Sequence, residues 1–156
     1  MSQNKELINK FYTSFQNKDY KTMQDCYANN ATFSDPVFEN LNAAEVRAMW
    51  QMLITRATDL ALEFKNVAAD ETSGSAEWMA TYTFTSTGNK VVNKIKANFV
   101  FENGKIKEHK DSFGFYKWAK QALGFKGLLL GWTSFLHNKV KQQARNNLIK
   151  FMKKET

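Results

Sequence analysis

Three side chains in this sequence have the types and spacing for proton transfer: Asp35, and the pair His109 and Asp111. Asp35 ends a short alternating segment, Ala31 to Val37 (ATFSDPV), with Pro36 directly behind it. Proline pushes its predecessor towards extended geometry, so the segment reads as a strand stopping on a carboxylate. An acid held on rigid backbone beside a helix-covered sheet is well placed to move a proton. The same Asp-Pro pair equally suits an Asx-type turn at a strand end. His109 and Asp111 are two residues apart on a predicted strand and share a face with Phe113. Two carboxylates in one low-dielectric space cannot both ionise easily, and a neutral histidine beside them accepts or relays a proton near neutral pH. Asp111 has another use, since with Ser112 it could cap a helix starting near Phe113.

The elements that must position these groups follow from periodicity. Leu7, Ile8, Phe11 and Phe15 predict a helix over about 4–17, and Asp19 caps a second carrying Tyr20, Met23 and Tyr27. A third begins at Asn42, with Glu45 in the capping-box position, and buries Val46, Met49, Trp50, Leu53 and Ile54. The period then becomes two through Leu60–Phe64, Trp78–Phe84 and Ile95–Phe101, with turns at 71–75 and at Gly88-Asn89. Asn103-Gly104 is a hairpin signal leading to a last strand over about 105–113. Helical spacing returns at Trp118, Ala119 and Ala122, stops at Gly124, and resumes over about 132–153. Helices followed by an antiparallel meander make an α+β chain.

The hairpin decides which face His109 and Asp111 occupy. With a two-residue turn, Glu102 pairs with Lys105, His109 faces Asn98 and Asp111 faces Lys96 on a polar side. With a three-residue loop and Gly104 in a bulge, His109 lies beside Ala97 and Asp111 beside Ile95 on the apolar side. Pairing of Lys96 with Asp111 favours the first register.

At 156 residues, 43% hydrophobic and with one proline, the chain is one ordered domain with a proper core. Thirteen Phe and four Trp predict an aromatic core or an aromatic-lined cavity. Cys26 is the only cysteine, which excludes an intrachain disulfide, and it reads as a buried thiol. The polar MSQNKELINK opening lacks a signal-peptide pattern, and the apolar stretch Phe125–Leu136 is too short to span a bilayer, so a cytoplasmic protein is expected. Two histidines without ligand spacing, and no phosphate-cradling glycine loop, predict no metal and no cofactor. Residues 1–116 hold 13 Lys+Arg against 14 Asp+Glu, whereas 117–156 hold 9 against 1. The basicity is therefore a property of the last forty residues.

The stretch from Asn9 to Val37, NKFYTSFQNKDYKTMQDCYANNATFSDPV, resembles the opening of the nuclear transport factor 2-like superfamily. Within it the sequence is similar to ketosteroid isomerases and SnoaL-like polyketide cyclases, and the likeness runs weakly on to Phe113. The resemblance implies a curved sheet around a cone-shaped pocket closed by the N-terminal helices. It implies a SnoaL-like domain over 1–124, with 125–156 as a C-terminal helical extension. Asp35 falls where the isomerases carry their general base. Cavity-lining isomerase residues align with His109, Asp111 and Phe113, so the resemblance favours the apolar-side register. The expected pocket then holds Asp35, His109 and Asp111 as catalytic groups. Phe11, Tyr12, Trp50, Trp78, Tyr82, Ala97, Phe99 and Phe113 would contact the substrate.

The oxyanion donors of the isomerases align with Phe11 and Ala97, which donate no hydrogen bond, so steroid isomerisation is not expected. Tyr12 is next to Phe11, but on a helix it points about 100° away. An Asp-Arg-Asp site like that of limonene-epoxide hydrolases would need a strand arginine, and Arg47, Arg56 and Arg145 fall on none. The function expected is cofactor-free acid/base isomerisation or cyclisation of a small hydrophobic carbonyl compound. The alternative is a noncatalytic ligand-binding or dimerisation domain that kept the pocket without the chemistry. Trp132, Phe135, Leu136, Val140, Ala144, Leu148 and Phe151 form a helical stripe with lysines around it. The stripe is expected to pack on the domain or across a homodimer; contact with an anionic membrane surface is the other reading, and nucleic acid is not an expected partner.

Overall fold

The computed structural model describes residues 3–155; Met1, Ser2 and Thr156, the extremes of the expected domain and extension, lie outside the described residues. Two helices open the chain, α1 (Gln3–Gln16) and α2 (Tyr20–Asp25), the latter capped by Asp19, whose carboxylate accepts from Thr22 N. Strand β1 (Tyr27–Ser34) follows, then the two-residue β2 (Leu41–Asn42) and helix α3 (Ala43–Arg56). The predicted capping box is formed: Glu45 N donates to Asn42 Oδ1 at 2.9 Å and Asn42 N to Glu45 Oε1 at 3.0 Å. Such a cap stabilises a helix by about 1 kcal/mol. The meander is β3 (Ala61–Ala69), β4 (Ser73–Phe84), β5 (Asn89–Glu102) and β6 (Lys105–Ser112). Three helices end the chain: α4 (Phe115–Leu123), α5 (Phe125–Leu130) and α6 (Ser134–Glu155).

The six strands form one curved, unclosed sheet in the order β2-β1-β6-β5-β4-β3. Its pairs are antiparallel except β1 with β6, which run parallel. On β5 the odd-numbered residues from Val91 to Phe101 are buried and the even ones exposed, the period-two signature of a half-buried strand. Helices α1 and α3 cover the inner face, where Ile8, Phe11, Tyr12, Phe15, Val46, Met49 and Trp50 meet Trp78, Ala97 and Phe99.

Several expectations are corrected. Tyr27 begins β1 instead of riding α2, because α2 ends at Asp25 with Cys26 as its C-cap. Leu53 is exposed and Met52 takes the buried position on α3. Tyr12 is fully buried, stacked on Phe64 with centroids 5.4 Å apart, because the concave sheet wraps far enough around α1 to receive two adjacent residues. Gly114 is the N-cap of α4 without a side-chain bond, so Asp111 is not a helix cap. The residues between Gly124 and Gly131 form α5, a helix the periodicity did not show, and Trp132 is exposed instead of buried.

Helix α6 folds back across α3 and the loop after β1. Leu136, Leu148 and Phe151 are buried and Val140 half-buried. Lys141 pairs with Glu39 at 2.5 Å, and Arg145 with Glu45 at 2.9 Å. Helix α5 is seated on α4 by glycine. A Cβ on Gly127 would stand 1.9 Å from Ala119 O, and one on Gly131 2.4 Å from Gly127 O. Gly127→Ala should therefore push α5 off α4 and cost about 1–3 kcal/mol. A thermal melt checks this, and an unchanged midpoint would show that the seat is not tight.

Candidate active site

The hairpin and a bulge together bring His109 and Asp111 inward. Asn103 and Gly104 both have positive φ (52° and 75°), and Glu102 pairs with Lys105, so the turn is the two-residue kind. One pair later the register slips: Phe101 faces Ile106 but Val100 faces Glu108, leaving Lys107 as an extra residue on β6. This bulge exchanges the faces of everything beyond it. His109 lies opposite Phe99 and Asp111 opposite Ala97, two residues along β5 from the Ala97 and Ile95 of the favoured register, but on the apolar side as that register expected. They are 2% and 3% exposed.

Inside, five side chains form a continuous hydrogen-bonded run. Trp50 Nε1 donates to Tyr27 Oη at 2.9 Å, and Tyr27 Oη is 2.8 Å from His109 Nδ1. His109 Nε2 is 2.9 Å from Asp111 Oδ1, which also accepts from Trp78 Nε1 at 3.4 Å. An indole only donates, so Tyr27 receives from Trp50 and passes its own proton towards Nδ1. That assigns the ring proton to Nε2, where it is donated to the Asp111 carboxylate. Both nitrogens of His109 are thus committed within the protein. Tyr12 Oη is buried nearby and, among the described residues, is the one fully buried side-chain polar atom with no hydrogen-bond partner. Burial first, then the Asp111 charge and Tyr27, push the Tyr12 hydroxyl well above the usual tyrosine range.

The rings expected to line an open cavity touch each other instead. Phe11 lies edge-on to Tyr12, Tyr27, Trp50, Phe99 and His109, with centroids 5.1–6.5 Å apart. Such pairs contribute about 0.5–1.5 kcal/mol each beyond area burial. Aromatic bulk that could have lined a cavity has filled the cone.

Asp35 stands directly after the last residue of β1 and is half-buried. The parallel ladder ends with Phe33 to His109 and Ser34 to Lys110, and Asp35 follows it within electrostatic reach of Asp111 and His109. Its Oδ1 accepts from Val37 N at 2.7 Å and Phe38 N at 2.6 Å, the Asx-type turn that its Pro36 neighbour allows. The carboxyl is nonetheless raised to about 6. Burial is the largest cause; the two backbone N–H groups oppose it, Asp111 adds to it and His109 opposes it. The turn reading and the perturbed acid therefore coexist in one residue. Tyr82 is close enough for the Asp35 charge, after burial, to raise its hydroxyl, against the lowering effect of Trp118. Tyr82 Oη accepts from Trp118 Nε1 at 2.8 Å, which leaves its own proton for a further acceptor. Phe115, Trp118 and Val140 pack against Val37, Tyr82 and Phe113, so α4 and α6 cover this end, and His137 Nε2 lies 2.6 Å from Pro36 O.

The SnoaL-like domain family matches residues 8–109. The chain belongs to that family. Solved structures with the same fold are far apart from it in sequence. An NTF2-like protein of unknown function from Burkholderia pseudomallei is 18% identical, with 73% of this chain and 92% of that one covered and a TM-score of 0.65. A candidate polyketide cyclase from Xanthomonas campestris is 17% identical, with 76% and 96% covered and a TM-score of 0.64. An LEH-like epoxide hydrolase from Mycobacterium tuberculosis is 18% identical, with 86% and 95% covered and a TM-score of 0.61. Among curated proteins none matches.

Within this SnoaL-like domain the structure brings His109, Asp111, Trp50, Trp78, Phe99 and Ala97 into one buried cluster. Tyr82 and Phe113 pack half-buried against it and against α4, and Asp35 lies within electrostatic reach of Asp111 and Tyr82. Tyr27 was missed as a site residue because its helical reading pointed it elsewhere. The run of extended-type residues from Tyr27 to Phe33 was the available signal. The hydrogen-bond role of Tyr82 depends on Trp118, thirty-six residues away, and had no local signal.

Proposed function

We propose that this protein is a cofactor-free acid/base enzyme acting on a small hydrophobic carbonyl compound, with Asp35 as its base. The observation that carries the reading is an acid raised to about 6 beside a tyrosine hydroxyl that still has a proton to give. A base of that pKa is substantially ionised at neutral pH yet strong enough to remove a proton next to a carbonyl. Asp35 takes that proton from carbon, and the electron pair moves onto the carbonyl oxygen. Tyr82 donates to this oxygen and supplies the stabilisation that Phe11 and Ala97 cannot. Returning the proton to a different carbon completes an isomerisation; attack of the enolate carbon on a second carbonyl within the substrate completes a cyclisation. Asp111 acts from behind by helping to hold the Asp35 pKa up, and His109, which opposes that rise, holds the Asp111 carboxylate in place. Substrate entry requires α4 and α6 to yield where they cover Tyr82 and Phe113.

A second reading has its own support. The mutually packed rings around Phe11 suit a domain that binds or dimerises without catalysing. Exchange of deuterium from solvent into 2-tetralone, a hydrophobic ketone with acidic carbon-bound protons, separates the two. The wild type is expected to catalyse exchange with a rate that rises through pH about 6 and then levels. Asp35→Asn should lower it by about 10²–10⁴-fold, and Tyr82→Phe by a smaller factor. Exchange at the buffer rate, or undiminished exchange in Asp35→Asn, would favour the noncatalytic reading.

A further inference from the structure

Helix α5 inverts the usual arrangement of a surface helix. It turns its glycines inward, with Gly127 and Gly131 buried against α4, and its large apolar residues outward. Trp132, Phe125 and Phe135 are 74%, 73% and 72% exposed, and Leu128, Leu129 and Leu130 are exposed beside them. The glycine seat fixes this orientation, because any larger residue on the inner face would collide with the Ala119 backbone. Contiguous exposed apolar surface of this kind marks a contact site.

We propose that the α5 tip, Phe125–Phe135, docks into the headgroup region of an anionic lipid bilayer. Two independent features favour this occupant. The first is charge. Lys117, Lys120, Lys126 and Lys139 are exposed around the tip, and no acidic residue occurs between Asp111 and Glu155. A second copy of the chain would set these lysines against each other with no local carboxylate to offset them, whereas an anionic lipid surface attracts them all. The second is the backbone. Entry into an apolar medium requires polar groups to be satisfied internally. Here Leu128 O accepts from Tyr116 Oη at 3.0 Å, and Leu129 O from the Trp132 indole at 3.0 Å. Leu130 O accepts from Thr133 N at 2.9 Å and Thr133 Oγ1 at 2.6 Å, and Gly127 O from Gly131 N at 2.8 Å. The carbonyls from Gly127 to Leu130 are therefore already paired. No helix among the described residues is long and apolar enough to cross a membrane, so the contact is peripheral.

The test uses the full chain and sedimentation with two kinds of vesicle, phosphatidylcholine alone and phosphatidylcholine with phosphatidylserine. Binding is expected to the phosphatidylserine vesicles, to weaken as salt is raised, and to be much weaker to phosphatidylcholine alone. The double variant Phe125→Ser, Trp132→Ser removes two side chains that lie largely in solvent, and water can take over the Leu129 carbonyl that Trp132 served. The variant should bind on the order of tenfold or more weakly, since each buried apolar group adds to the partition energy. Lys126→Glu with Lys139→Glu should reduce binding to the charged vesicles alone, and melting curves of both variants should match the wild type. Absence of binding to charged vesicles, or binding that neither variant weakens, overturns the proposal. So does concentration-dependent dimerisation that Phe125→Ser, Trp132→Ser abolishes in a protein that ignores vesicles, which would make the tip an interface between copies.

Discussion

Asp111→Ala is expected to destabilise the protein by about 2–6 kcal/mol, roughly 1–3 for each of the two buried donors it leaves unpaired. The change leaves the Nε2–H of His109 and the indole N–H of Trp78 without an acceptor at a site that excludes water. In a chain of this length each kcal/mol shifts the melting midpoint by about 2–4 °C, so the fall should be large. Asp111→Asn keeps an oxygen for both donors and should cost less. Tyr27→Phe attacks the other end, removing the acceptor of Trp50 and the donor to His109 Nδ1, for about 1–3 kcal/mol. Because the five groups form one run, Tyr27→Phe combined with Asp111→Asn should cost less than the sum of the two. Denaturant titrations of these variants decide the matter. A loss below about 1 kcal/mol for Asp111→Ala would mean that water reaches the site and satisfies the orphaned donors.

Asp35→Asn should raise stability at pH 7 and leave it nearly unchanged at pH 4. The sign follows from linkage. The folded carboxyl is raised to about 6, whereas an unfolded aspartate titrates near ~3.9. Below pH ~4 the group is protonated in both states and costs nothing. Between ~4 and ~6 the unfolded chain releases the proton while the folded chain keeps it, so stability falls as pH rises. Above ~6 the full penalty stands, about 3 kcal/mol by the pKa difference. Asparagine retains the oxygen that accepts from Val37 and Phe38, so the turn survives while the charge goes. Asp19, Asp59 and Asp70 have carboxyls held below the usual range, and they contribute stability that is lost at lower pH. They are common to both proteins, so the difference between wild type and variant isolates Asp35. A variant that melts lower at pH 7 would show that the carboxylate serves the turn alone. A higher midpoint would mean that the fold carries a desolvated acid at a cost to stability, as residues retained for function often do.

Several elements were legible in the sequence because neighbours in the chain settle them. The Asn42–Glu45 capping box, the Gly124 stop and the Asn103-Gly104 turn each depend on a few consecutive residues. The alternation on β5 likewise follows from one strand facing one core. The SnoaL-like membership was legible for the same reason, since the Ala31–Val37 motif lies within a single segment. The candidate site was only half legible. Asp35, His109 and Asp111 could be named, but the local charge pattern of Lys96 and Asp111 pointed to the wrong register. A single extra residue, Lys107, reversed the faces beyond an otherwise two-residue hairpin. Nothing near Lys107 announces a bulge, because the energy that selects it comes from burying His109 against Phe99 and Phe11.

Sequence by itself determined the main helices and the meander strands, the α+β class, the family and the types of the reactive groups. These rest on period, capping and turn chemistry, which act over a few residues. Tertiary structure alone decided that β1 runs parallel beside β6 and so brings Asp35 within electrostatic reach of Asp111. It decided that Tyr27 completes the buried run to His109, and that aromatic rings fill the cone they were expected to line. It also decided that Gly127 faces inward and Trp132 outward, against the apparent stripe of the last helix. Each of these is a contact between distant segments. Its energy depends on shape and exclusion of water across the fold, and no local pattern of residues encodes that.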